Sequence, residues 1–247
     1  MEWVHTPNLP EKDTALVAVF FLNNTIIHAL HQRNIDTILI LPDPRLPSSI
    51  SSHADMLIHH LGRNHMAVVK GSMLKDRLEK IDFEVIETDK NISEKYPHDV
   101  ALNAARVGDF LICNPSALDE KVYWYCEEKK IKMIPVRQGY AKCSVAIVNE
   151  FSIITADLGI AQAAEKVGLD VLKISPGYVN LDGYSYGFLG GTCGKIGKNK
   201  LAFAGNIQLH PDYFEIQKFC YDRNVEVISL ADIPLTDIGG ILPLKTC

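Results

Sequence analysis

The sequence predicts an α/β protein: a propeller of five ββαβ units, with the ring closed by the N- and C-terminal strands in one composite unit. Three observations carry this. The first is the stretch Tyr140–Ile174, in which two apolar runs, Cys143–Val148 and Phe151–Thr155, flank the turn pair Asn149-Glu150. β-Branched runs broken by a turn pair read as a hairpin. A helix capped by Asp157 follows, with Ile160, Ala163, Ala164 and Val167 on one face and Gly168 at its C-terminal end. Val171–Ile174 is then a third strand. The second observation is that this order recurs along the chain at a spacing of roughly 40–55 residues, a period typical of repeat architectures. The third is that each end of the chain holds part of a unit. The N-terminal part lacks a first strand, and Ile238–Leu244 is a strand left over. Joining the two completes the fifth unit and removes an exposed sheet edge.

Residues 1–14 read as irregular, because Pro7 and Pro10 oppose regular pairing. Ala15–Phe21 is a buried strand, Asn23 or Asn24 caps a helix carrying Ile26, Ile27 and Leu30, and Ile35–Leu41 is a strand. In the next unit Met56–Leu61 and Met66–Lys70 form the hairpin, Ser72 caps a helix reaching Lys80, and Phe83–Ile86 follows. Val100–Val107, the turn Gly108-Asp109 and Phe110–Cys113 open the third, with Ser116 as its helix cap and Ile131–Val136 as its last strand. After the template comes a glycine-rich stretch, Gly187–Gly194. Cys193–Ile196 and Leu201–Ala204 then make a hairpin, Tyr213–Arg223 a helix and Val225–Leu230 a strand. A doubly wound sheet is the ordinary alternative for alternating strands and helices, but it has one strand per helix, and here two precede nearly every helix. The chain is read as one domain over residues 1–247.

The net charge of −5, without a basic tract, argues against nucleic acid as a partner. No apolar run approaches the roughly 20 residues that span a bilayer, and the N-terminus has no basic region followed by an apolar stretch. The six cysteines are scattered without CxxC spacing, which fits a reduced, cytoplasmic protein. His59, His60 and His65 lack a matching Cys or Asp spacing, so neither a metal nor another cofactor is expected.

Five such units closed by both termini resemble the pentein superfamily, the guanidino-group-modifying enzymes that include arginine and agmatine deiminases, dimethylarginine dimethylaminohydrolases and amidinotransferases. Two local features add to the resemblance. Ser52-His53-Ala54-Asp55-Met56 stands where those enzymes place a substrate-binding carboxylate, and Asp237-Ile238-Gly239-Gly240-Ile241-Leu242-Pro243-Leu244 is similar to the glycine-rich last strand that bears their nucleophilic cysteine. That strand has no cysteine here, and Gly190–Lys195, where the resemblance implies a histidine, has none. The resemblance implies a divergent member, with chemistry retained or lost; non-enzymatic members of the superfamily exist.

If the first strands surround the axis, side chains near their starts converge. Cys193, His53 and Asp55 are then the catalytic candidates, with Cys143 beside Lys142 as the second thiol, and Asn103, Lys142, Thr192 and Lys195 the substrate-binding ones. Lys195, two residues from Cys193, is expected to favour its thiolate. His53 and Asp55, two apart, share one face if the segment is extended. Tyr184 and Tyr186, between Gly183 and Gly187, fit a rim that flanks a planar ligand. The expected function is a hydrolase or transferase acting on a small guanidine, amidine or amine compound. The alternative is a non-catalytic protein that binds a small ligand or a protein partner. The expected partner is a small molecule, and a homo-oligomer stays open.

Overall fold

The computed structural model describes residues 1–21 and 23–247. Its elements, in chain order, are β1 (Glu2–Trp3), β2 (Thr14–Phe20), α1 (Asn24–His31) and β3 (Asp36–Ile40), then α2 (Ala54–Leu57), β4 (Ile58–Gly62), β5 (His65–Val68), α3 (Leu74–Glu79) and β6 (Glu84–Glu87). The third group is β7 (Ala105–Val107), β8 (Phe110–Cys113), α4 (Glu120–Glu128) and β9 (Lys132–Pro135). The fourth is α5 (Ala141–Ser144), β10 (Val145–Asn149), β11 (Ser152–Thr155), α6 (Leu158–Lys166) and β12 (Asp170–Lys173). The last is a 3-10 turn (Leu189–Thr192), β13 (Cys193–Gly197), β14 (Lys200–Phe203), a second 3-10 turn (Ile207–Leu209), α7 (Tyr213–Tyr221), β15 (Glu226–Ser229) and β16 (Leu242–Thr246).

These strands form five small sheets of three or four strands. In four of them a hairpin pairs antiparallel, and a helix then carries the chain over to a third strand parallel to the second: β4-β5-β6, β7-β8-β9, β10-β11-β12 and β13-β14-β15. Parallel neighbours need such a crossover. The fifth sheet, β1-β16-β2-β3, takes strands from both ends of the chain. Leu242 stands opposite Ala18 in an antiparallel ladder, and β2 and β3 run parallel. The expected pairing of the last strand with Ala15–Phe21 is thus present, shifted a few residues along. The irregular N-terminus contains one strand that periodicity missed, since β1 has only two residues, pairing with Thr246 and Lys245.

The longer helices each bury one face, and three of them, α1, α4 and α6, start on a capping side chain. Asn23 Oδ1 accepts the Ile26 amide and Asp157 Oδ1 the Ile160 amide, both as expected. In the third unit the cap is Asp119, not Ser116: its Oδ1 accepts the Lys121 amide, and α4 starts three residues later than Ser116 would allow. The buried face of α6, Ile160, Ala161 and Ala164, packs on its own sheet and on that of the third unit.

The first strands differ from expectation in one consistent way. Met56–Leu61, Val100–Val107 and Cys143–Val148 each begin with a single turn of helix or irregular chain, and the strand proper starts at Ile58, Ala105 and Val145. One turn is too short to show a helical period. Those turns carry most of the candidate side chains. Asp55 therefore lies in α2 with His53 as its N-terminal flank, so the extended-strand geometry assumed for that pair is replaced by a turn. β10 packs against β7 and β13, and β13 against β16, so the starts of these strands come together.

Candidate functional site

Asp237, in the chain leading to β16, sets one side of the site. Its Oδ2 accepts the Phe188 amide at 2.9 Å and its Oδ1 the Gly239 amide at 3.0 Å. His53 Nδ1 stands 3.6 Å from the same Oδ1. Glycine is required around this pair. A Cβ at Gly191 would fall 2.0 Å from Asp237 Oδ1, and one at Gly239, whose φ is +69°, would fall 2.4 Å from the His53 Cβ.

The other side is a knot around Cys143 in α5. Its Sγ lies 3.0 Å from Asp55 Oδ2 and 3.0 Å from Asn103 Nδ2. Asn103 ties the units together: its Oδ1 accepts the amides of Lys142 and Cys143, and its Nδ2 donates to the Asp55 carbonyl. The Asp55 amide reaches the Gly239 carbonyl at 3.2 Å. Lys142 is buried below, its Nζ donating to the Gly190 carbonyl at 3.3 Å. Asp55 Oδ1 and His53 Nε2 are buried with no partner among the described residues.

Above these groups opens a cavity of about 420 Å³. His53, Met56, Cys143 and Asp237 line it, together with Tyr140 and Phe188. Tyr96, Tyr140 and Phe188 form a row of near-parallel rings, with centroids 6.2 and 6.0 Å apart. Tyr184 and Tyr186, 48% and 45% exposed, stand at the mouth. The Tyr140 hydroxyl donates to Asp99 Oδ2, whose other oxygen is buried and has no partner among the described residues.

The cavity wall carries Asp237 and no lysine or arginine among the described residues, while Asp55 and Lys142 lie buried behind it. Burial raises the pKa of Asp237, and the nearby Asp55 carboxylate adds to the rise while His53 opposes it. Burial also raises Asp99. The Cys143 thiol is pushed well up, by burial first and then by the charges of Asp55 and Asp237. Neighbouring buried carboxylates resist ionising together, and a cation in the cavity beside Asp237 would ease that repulsion. The arrangement is therefore one that can hold a planar cation between the Asp237 carboxylate and the aromatic faces.

The structure brings His53, Asp55, Asn103 and Lys142 together with Cys143, and places Asp237 beside them. The others lie elsewhere. Thr192 Oγ1 is buried and donates to the Leu189 carbonyl. Cys193 is fully buried in the β13 ladder, and burial pushes its thiol up to about 12; the cation that works against this rise is Lys142. Lys195 points away to the Val148 carbonyl, so the expected Cys193–Lys195 couple is absent. A regular strand would have placed i and i+2 together, but side chains that share a face diverge when one is packed inward and the other reaches for the turn end. Asp237 carries no local pattern of its own; the glycine pair two residues on was the available signal. Among the described residues no three His, Cys, Asp or Glu side chains are grouped as metal ligands.

Five small sheets with this hairpin-helix-strand order, and a cleft over the strand starts, define the pentein fold. Similar solved structures share it. A dimethylarginine dimethylaminohydrolase from Pseudomonas aeruginosa complexed with citrulline aligns with a TM-score of 0.56 at 12% identity, over 88% of this chain and 92% of that one. An amidinotransferase from Microseira wollei in the saxitoxin biosynthetic pathway aligns at 0.57 and 10% identity, over 92% and 91%. Agmatine deiminase from C. jejuni aligns at 0.54 and 10% identity, over 94% and 90%. By sequence, the chain belongs to a family of unknown function, DUF6873, whose model matches residues 21–242. No curated protein sequence matches it.

Proposed function

We propose that this protein acts on a small guanidine-, amidine- or amine-bearing compound in the cleft, as a hydrolase or transferase. The observation that carries this is that Asp237 is the carboxylate on the cavity wall, with no lysine or arginine lining the cavity among the described residues, while Asp55, its Oδ1 unpartnered, is buried behind Cys143. A ligand cation completes it. The enzymes aligned above act on such compounds by name, which supports the same class here. In this reading Cys143, not Cys193, supplies the thiol, since only Cys143 faces the cavity and has a carboxylate to take its proton. The last strand offers Gly239 and Gly240, both at positive φ, where a side chain would strike His53 or crowd Lys142. A cation bound beside Asp237 offsets one of the charges that raise the Cys143 pKa, so the thiol is activated when the cleft is filled.

The same reading takes the five sheets as blades of one closed ring in a single cytoplasmic domain. The composite sheet and the order β7, β10, β13, β16 support it. A second reading, a protein that binds the cation without turning it over, is favoured by one observation: the Cys143 Sγ is buried 3.0 Å from the Asp55 carboxylate, an environment that raises its pKa and opposes the thiolate.

The test is binding first, turnover second. Agmatine, arginine and guanidinium are titrated while the melting temperature is followed. A ligand at 100 times its Kd adds about 2.7 kcal/mol, roughly 5–10 °C for a chain of this size. Asp237→Asn should abolish the shift. Ammonia or amine release then separates enzyme from binder. No shift with any cation, at any concentration tolerated, would remove the function class.

A further inference from the structure

At the turn end of the hairpins, away from the cleft, lies a second and larger basin of about 840 Å³. The turns Gly108-Asp109, Asn149-Glu150 and Lys198-Asn199 surround it, and the N-terminal stretch around Leu9 forms one wall. Its floor holds Lys195, a residue only 2% exposed. The Lys195 amine uses one of its three donors, to the Val148 carbonyl at 3.0 Å. No carboxylate pairs with it among the described residues. The other cations of the basin differ: Lys198 is exposed to solvent, and Arg223 is bound to Ser152, the Phe219 carbonyl and Asp170.

A buried lysine that lacks an acidic partner and faces an open cavity is unusual on structural grounds. Burying an ammonium is costly unless it is paired, so such a group either gives up its proton or is kept for its reactivity. Burial lowers the Lys195 pKa from 10.5 to about 8, with the charges of Cys220 and Glu150 opposing the fall. Near neutral pH about a tenth of the amine is thus the free base, far more than for a surface lysine, and its lone pair is available to the basin while one N–H stays on Val148.

We propose that Lys195 is a carbonyl-binding amine, and that a small aldehyde or ketone entering the turn-end basin condenses with its Nζ to an imine. The step balances without another reagent. The nitrogen lone pair adds to the carbonyl carbon, the carbonyl oxygen takes up a proton to give a carbinolamine, and that oxygen leaves as water as the C=N bond forms. In the protonated imine the remaining N–H can keep its bond to the Val148 carbonyl. Glu11, Asp109 and Glu150 on the walls set their charge against Lys198 and Arg223, so the basin suits a neutral or singly charged carbonyl compound, not a polyanion.

The test uses the intact protein and pyridoxal as the probe, with borohydride to fix the imine and peptide mapping to locate it. At pH 7.5 and limiting reagent, Lys195 should carry roughly tenfold more label than exposed lysines, whose amines stay almost wholly protonated near their usual pKa of about 10.4. Its labelling should rise with an apparent pKa near 8. Lys195→Arg keeps the charge and should remove this label while leaving the surface background. Lys198→Ala should leave it in place. Label spread over the lysines according to their exposure, or an apparent pKa like that of the surface lysines, would overturn the proposal. The pH profile is read on the unmodified chain, so it decides the matter even if a Lys195 variant fails to fold.

Discussion

His59 and His60 are both buried on β4, and burial lowers each to about 4. His60 keeps one ring nitrogen on the Arg63 carbonyl at 2.9 Å and leaves Nδ1 without a partner, as a neutral imidazole would. The unfolded chain binds these protons below pH 6.5 and the native chain does not, so stability is complete above 6.5 and falls as the pH drops towards 4. Between pH 7 and pH 4.5 each histidine should cost roughly 2–3 kcal/mol, somewhat less than additively because they are neighbours. Urea titrations across that range check this, and His60→Gln should flatten the slope by about one proton. An unchanged slope would show that His60 is not the group responsible. Gly191 gives a second prediction. Its missing side chain leaves room for Asp237, so Gly191→Ala should cost about 3 kcal/mol or more by crowding and by lost carboxylate bonds. Cation binding should go with it. At this scale the neighbourhood of His53, Asp55, Asn103 and Lys142 was legible from the repeat, because each stands near the start of a first strand. Cys193 and Lys195 misled because adjacency in sequence says nothing about which end of a strand a long side chain seeks.

The elements that mattered most to the site are the smallest. α2 and α5, each a single turn, tip Asp55 and Cys143 towards one another, whereas straight strands would have pointed them along separate sheets. Sequence periodicity recovers the long helices and the hairpins, because their buried faces repeat several times. It cannot recover a four-residue helix, and it places a cap wrongly where two polar residues compete, as Ser116 and Asp119 do. Asp119 prevails because its other carboxylate oxygen also accepts the amides of Asp89 and Lys90, fastening the loop after β6 to the start of α4. Asp157 is a similar device near the cleft: besides capping α6, its Oδ2 accepts the Gln138 side chain at 3.2 Å. Asp157→Ala should lower stability by about 1 kcal/mol, the usual worth of such a cap. Gln138 lines the cleft, so ligand affinity should weaken as well. Denaturant melts and a titration of the best cation read the two effects separately.

For the whole molecule, the composite sheet is the part that was most legible, since two incomplete ends in a repeat have few ways to be satisfied. β16 lies between β1 and β2 and pairs with both. Removing residues 238–247 strips β2 of a partner, exposes Leu16, Val17 and Ala18, and takes Ile238, Ile241, Leu242 and Leu244 out of the core. The truncated chain should lose cooperative unfolding and become aggregation-prone. Hydrogen exchange is the sharper measurement: protection should fall in β10 and β13 as well as in β2. If only β1 to β3 lose protection, the sheets are energetically independent and the cooperative ring is wrong.

The composite sheet also fixes an order of events during synthesis. Ala18 leaves the ribosome more than two hundred residues ahead of Leu242, its ladder partner. At typical elongation rates of about 5–20 residues per second, β2 waits ten seconds or longer with one edge open while four complete units form behind it. The polar residues beside that edge, Asp13 and Thr14, and the irregular Pro7 and Pro10 ahead of it are the local brakes on stray pairing. The first sheet to be made is therefore the last to be finished, and the rate at which new chains mature should depend on the arrival of the final ten residues more than on any helix.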